Sequence, residues 1–87
     1  MEKTAVMSCQ LAFYPLETKN INDAVNQVLS IIDTAPVQSE TTPLNTLIFG
    51  ELENIVKLLE KIASVMDKRG IKFAMQVSLS NHCGCKG

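Results

Sequence analysis

The residues best equipped for chemistry stand together near the end of the chain, in His82-Cys83-Gly84-Cys85, with a third cysteine at Cys9. Imidazole and thiolate are zinc ligands, and a thiol beside an imidazole is the usual nucleophilic pairing. A closed zinc site takes typically four ligands, with the paired cysteines separated by about two to four residues. Here a single residue, Gly84, separates Cys83 from Cys85, and Cys9 sits within an apolar alternation. His82 is the sole histidine, and a catalytic dyad needs that base held by a third group. No acidic residue is fixed beside it in sequence. Gly50 and Gly70 are the only glycines before the tail, each at the end of an element, so no glycine-rich phosphate loop exists. The expectation is no metal, no cofactor and no catalysis, with Cys9 a small core residue.

Composition narrows the remaining classes. The 87 residues make one domain, and 46% hydrophobic against 20% charged residues is globular rather than disordered. The net charge is -1, and Lys68-Arg69 is the only adjacent basic pair. A nucleic-acid partner requires a basic stripe, which is missing, and one Tyr with no Trp makes a poor base-stacking surface. No stretch approaches the ~20 apolar residues that span a bilayer, so no membrane partner is expected. Met1-Glu2-Lys3-Thr4 lacks the pattern of a signal peptide, which places the expected compartment in the cytoplasm, with reduced thiols.

The elements that would position any site follow from periodicity. Residues 5–14 alternate: Ala5, Met7, Cys9, Leu11 and Phe13 against Val6, Ser8, Gln10, Ala12 and Tyr14, which predicts a strand ending before Pro15. Residues 20–33 repeat apolar groups at steps of three and four (Ile21, Ala24, Val25, Val28, Leu29, Ile32), a helix with Asn20 as its cap. Short strands are predicted over 37–41 and 44–49, joined at Thr42-Pro43. Residues 51–69 carry the strongest helical stripe, Leu52, Ile55, Val56, Leu59, Ile62, Ala63 and Met66, closed by Gly70. Residues 71–80 alternate again. Residues 81–87 form a tail without periodicity, so the expected division is a ligand-binding domain over 1–80 and a tail over 81–87.

The order βαββαβ predicts an α+β, ferredoxin-like sandwich: a four-stranded antiparallel sheet with both helices on one face. The first and last strands, being longest and most apolar, are expected at its centre. The uncovered face would carry Ser8, Gln10, Ala12, Tyr14, Ala74, Gln76 and Ser78, small and polar without charge. A solvated face normally carries more Lys and Glu. This face therefore reads as a contact surface, for a homodimer or a dimer of dimers.

Three stretches resemble one family. Cys9-Gln10-Leu11-Ala12-Phe13-Tyr14-Pro15-Leu16 is similar to the first-strand motif of the YkoF-like thiamine and hydroxymethylpyrimidine-binding proteins. Asn45-Thr46-Leu47-Ile48-Phe49-Gly50 and Met75-Gln76-Val77-Ser78-Leu79-Ser80 resemble its hairpin and closing strands. The tail departs from the Gly-Cys-Pro-Gly usual in that family. The resemblance implies a ferredoxin-like fold, no catalysis, thiamine or its pyrimidine moiety as ligand, and association of two such units. The best-known members carry two repeats, and this chain carries one.

Resemblance and alternation together nominate Gln10, Thr46, Ser78 and Ser80 as polar partners of a pyrimidine-like ring. Gln10 both donates and accepts, which suits an aminopyrimidine edge. Phe13, Tyr14 and Phe49 are the candidate walls, and Cys83 is expected to close the pocket from the tail. Phe13 and Phe49 read equally as plain core, and Thr46 as a strand former. The alternative function is a regulatory or scaffolding module whose open sheet face serves only for oligomerisation.

Overall fold

The alternations and helical stripes fold as their periods require. The computed structural model describes residues 6–42 and 44–81. It contains β1 (Val6–Leu16), α1 (Ile21–Asp33), β2 (Gln38–Thr41), β3 (Thr46–Glu51), α2 (Leu52–Lys68) and β4 (Lys72–Ser80). The sheet is antiparallel throughout, in the order β2-β3-β1-β4. Cys9, Leu11 and Ile48 from the sheet join Val28, Ile31 and Ile32 of α1 and Ile55, Leu58, Ile62 and Met66 of α2 in one buried cluster, so both helices cover one face.

The strand order corrects one expectation. β1 and β3 are central, and β4 is an edge. Each helix links two strands that enclose a third: β1 and β2 enclose β3, and β3 and β4 enclose β1. That interleaving puts β1 and β3 in the middle whatever the length of β4. The edge position leaves Val77 41% and Leu79 46% exposed although both have the parity of the core face.

β1 also runs past Pro15 to Leu16. Its last β3 partner is Leu11, which pairs with Thr46, while pairing with β4 continues to Leu16. Residues 12–16 thus have an open edge on the β3 side, the setting in which a strand accommodates proline.

The helix faces differ from the stripes read in sequence. α1 buries Ala24, Val28, Ile31 and Ile32, while Ile21 is exposed. α2 buries Ile55, Leu58, Ile62 and Met66, while Val56 is exposed. At about 100° per residue, Leu58 and Val56 lie on nearly opposite sides of the helix. An apolar residue on each side leaves the rotation to be set by packing. Asn20 accepts the Ala24 N–H at 3.1 Å through its backbone carbonyl, but its side chain makes no cap bond. Gly70, at φ 73°, ends α2 in the left-handed region as expected, and the Ile71 N–H returns to the Met66 carbonyl at 3.0 Å.

Candidate functional site: two cavities beside the β2–β3 hairpin

The early end of β3 shapes the site. Past Leu11, β1 is flanked by β4 on one side and only by the hairpin turn on the other. The turn is braced by Thr42. Its hydroxyl donates to the Asn45 carbonyl at 2.9 Å and accepts the N–H groups of Leu44 and Asn45 at 3.2 and 3.1 Å. The Thr42 N–H also meets the Asn45 carbonyl at 2.8 Å. A side chain that replaces backbone partners in this way holds a turn in one shape.

One cavity lies on the open face. It is a groove of about 620 Å³ lined by Gln10, Ala12, Tyr14, Gln76, Val77 and Ser78, with Leu44 and Asn45 from the hairpin. The register places its polar groups: Gln10 is paired with Ser78, and Ala12 with Gln76. Two amides and a hydroxyl therefore flank the small Ala12, with the Tyr14 ring beyond. Among the described residues, no charged side chain lines the groove. Such a surface offers donors and acceptors to a neutral heterocycle and no countercharge to an ion.

The second cavity lies on the helix face. It is smaller, about 170 Å³, and apolar groups dominate it: Leu11, Phe13, Val25, Val28 and Leu29. Thr41, Thr42, Asn45 and Thr46 add polar groups, and Leu44 stands at the rim. Phe13 stacks on Phe73 with ring centroids 5.3 Å apart.

The eight nominated residues do not gather in one site. Gln10, Tyr14 and Ser78 share the groove. Ser80 lies on the same face opposite Ser8, and both make hydrogen-bonding or electrostatic contacts. Phe49 is also on that face but near its other end, in a separate hollow with Val6, Val37 and Gln38. Phe13 and Thr46 point to the helix side, into the smaller cavity. A face-by-parity reading separates Phe13 from Tyr14, so the two were never able to wall one pocket. Cys83, with His82 and Cys85, lies outside the described residues. Sequence reasoning missed Leu44 and Asn45 as site residues because it read them as the start of a strand over 44–49, whereas β3 begins at Thr46 and both lie in the turn before it. It also left out Val25, Val28 and Leu29 as site residues, because they read as core.

Two other features bear on chemistry. Burial raises the Cys9 thiol above its ordinary pKa, which keeps it protonated and a poor nucleophile. A third cleft, about 410 Å³, gathers Glu17, Asp23, Arg69 and Lys72, but these groups satisfy one another. Lys72 Nζ lies 3.2 Å from Glu17 Oε1, Gln27 donates to Asp23 at 2.9 Å, and Arg69 donates to Gln27 Oε1. Among the described residues, no helix is long and apolar enough to cross a membrane.

Sheet order, helix placement and the paired cavities define a single-repeat, ferredoxin-like α+β domain. The chain belongs to the YKOF-related family, whose model matches residues 6–86. Solved structures share the fold at low identity. A Thermotoga maritima protein provisionally named a thiamine biosynthesis/salvage protein is 18% identical with a TM-score of 0.79, covering 91% of this chain and 86% of that one. A Streptococcus pneumoniae protein is 21% identical with a TM-score of 0.78, covering 86% and 84%. A hypothetical protein of Methanocaldococcus jannascii is 13% identical with a TM-score of 0.80, covering 94% and 86%. No curated protein matches the chain.

Proposed function

We propose that this protein binds thiamine or its hydroxymethylpyrimidine moiety in the cytoplasm, without catalysis, as a homodimer or dimer of dimers. The observation that carries the reading is the groove, uncharged among the described residues, in which Gln10, Gln76 and Ser78 converge beside Tyr14 and suit the neutral pyrimidine ring. Family membership and the name of the T. maritima neighbour supply the ligand class. The groove exceeds the roughly 300 Å³ at which small-molecule sites begin, which favours a ligand over a purely scaffolding module.

Calorimetry tests the reading directly. Gln10→Leu and Ser78→Ala each remove a hydrogen-bonding group from the groove wall while leaving the strand intact. Each is expected to weaken thiamine binding by about 1 kcal/mol, the net value of a hydrogen bond between neutral groups. Two variants that both bind thiamine as tightly as the parent would place the site elsewhere.

Assembly has its own test. The groove is open on the side facing away from the helices, and a second copy's sheet laid over it would close it. Gln10→Glu combined with Gln76→Glu puts two carboxylates on that face, and burying unpaired carboxylates is costly. The double variant is expected to be monomeric by light scattering at micromolar concentration, where the parent is at least dimeric. A monomeric parent contradicts the assembly.

A further inference from the structure

The two edges of the sheet are guarded unequally. A strand edge is a row of unpaired backbone N–H and C=O groups, and natural proteins blunt it with short strands, charged side chains, proline or a bulge. β2 follows that rule: it has four residues, all exposed, with Glu40 among them. β4 does not. It is nine residues long and pairs with β1 in unbroken register from Lys72 to Ser80. From Phe73 onward it carries no charge, no proline and no glycine.

The side chains on its helix face show the same opening. Phe73 and Met75 are packed against the core, whereas Val77 and Leu79, next along the same face, are exposed. The apolar row thus runs out from under the helices along an edge that no device blocks.

We infer that the β4 edge seats a second copy of this chain, its β4 running antiparallel, so that the two sheets join into one of eight strands. A two-fold axis at Gln76 lets all nine residues of each β4 pair. Val77 then faces the partner's Met75, and Leu79 faces the partner's Phe73. Directly opposed side chains of an antiparallel pair stand about 4.5–5.5 Å apart at Cβ, so both exposed residues gain apolar neighbours. Charge favours the same sense of pairing. α2 begins at the Ser80 end of β4 and finishes beside Lys72. Glu51 and Glu53 outnumber Lys57 at the first end, and Lys68, Arg69 and Lys72 outnumber Asp67 and Glu17 at the other. Antiparallel pairing sets each acidic end against the partner's basic end and opposes the dipoles of the two α2 helices. The inference is independent of the thiamine reading. It concerns the rim of the sheet and not its open face, so the two contacts together would build a dimer of dimers.

Mass and amide exchange test the edge. Leu79→Lys points a charge into the junction, a device by which natural edges resist pairing. The side chain it replaces is exposed, so the variant should keep the parent's circular dichroism while light scattering at micromolar concentration gives half the parent's mass. Gln76 meets its own copy in this register, so the open face is probed by Gln10→Glu alone, which leaves the edge pair intact. If the parent and Gln10→Glu are both dimers and Leu79→Lys is a monomer, the face contact falls and the edge stands. A folded Leu79→Lys with the parent's mass overturns the edge. Should Leu79→Lys fail to fold, hydrogen exchange on the parent decides. In a lone β4 every second amide points away from β1 and exchanges freely, whereas in the joined sheet consecutive amides from Phe73 to Leu79 are all slow. Free exchange at alternate positions overturns the inference and leaves the edge to a strand of another protein. Slow exchange in a parent that scatters as a monomer means that the chain covers its own edge, which overturns it too.

Discussion

Saturating thiamine is expected to raise the melting temperature of this protein by roughly 10–20 °C. A ligand that binds only the folded state at a hundredfold excess over Kd adds about 2.7 kcal/mol of stability. In a domain of this length each kcal/mol moves the midpoint by about 4–8 °C. The effect is large because the domain is small: 87 residues bury little surface, so any binding energy is a sizeable share of the total. Differential scanning fluorimetry measures the shift directly. It should grow with the logarithm of thiamine concentration above Kd and shrink in Gln10→Leu. A flat midpoint up to millimolar thiamine and hydroxymethylpyrimidine would remove both as ligands and leave the fold assignment untouched.

Leu58→Ala destabilises the protein by about 2–5 kcal/mol, the range for deleting a buried leucine and leaving part of a cavity behind. Leu58 is 3% exposed and belongs to the buried cluster with Ile55, Ile62 and Met66. Val56, two residues earlier, is 51% exposed. Val56→Ala is expected within about 0.5 kcal/mol of the parent, since exposed substitutions change little. Alanine's better helix propensity adds a small gain. Chemical denaturation of the two variants separates the packed face of α2 from the stripe that its sequence displays. A costly Val56→Ala with a neutral Leu58→Ala would mean that the helix is rotated from the orientation described.

The Leu58 and Val56 pair shows where reading by period runs out. Apolar residues occur on more than one side of α2, so the helix is evident but its contact face is not. The same holds for β4. Its alternation identified a strand and its two faces. Its length and apolarity pointed to the centre of the sheet, where topology puts β1 instead. At the site, alternation correctly put Gln10, Ser78 and Gln76 on one face. It also separated Phe13 from Tyr14, a separation that the expectation of a single pocket overlooked. The resemblance in residues 9–16 identified a family that the match over residues 6–86 shows, although the three fold neighbours described above are only 13–21% identical.

The sequence by itself determined the six elements in their order, the sidedness of β1 and β4, the glycine that ends α2 and the family. These depend on residues two to four apart, whose directions follow from backbone geometry alone. Only the tertiary structure decided which strands are neighbours, how α2 is rotated, and that β3 ends early enough to leave a groove and a pocket on either side of one hairpin. Those outcomes come from pairings such as Leu11 with Thr46 and Gln10 with Ser78, between residues far apart in the chain. No local period encodes the register in which they meet.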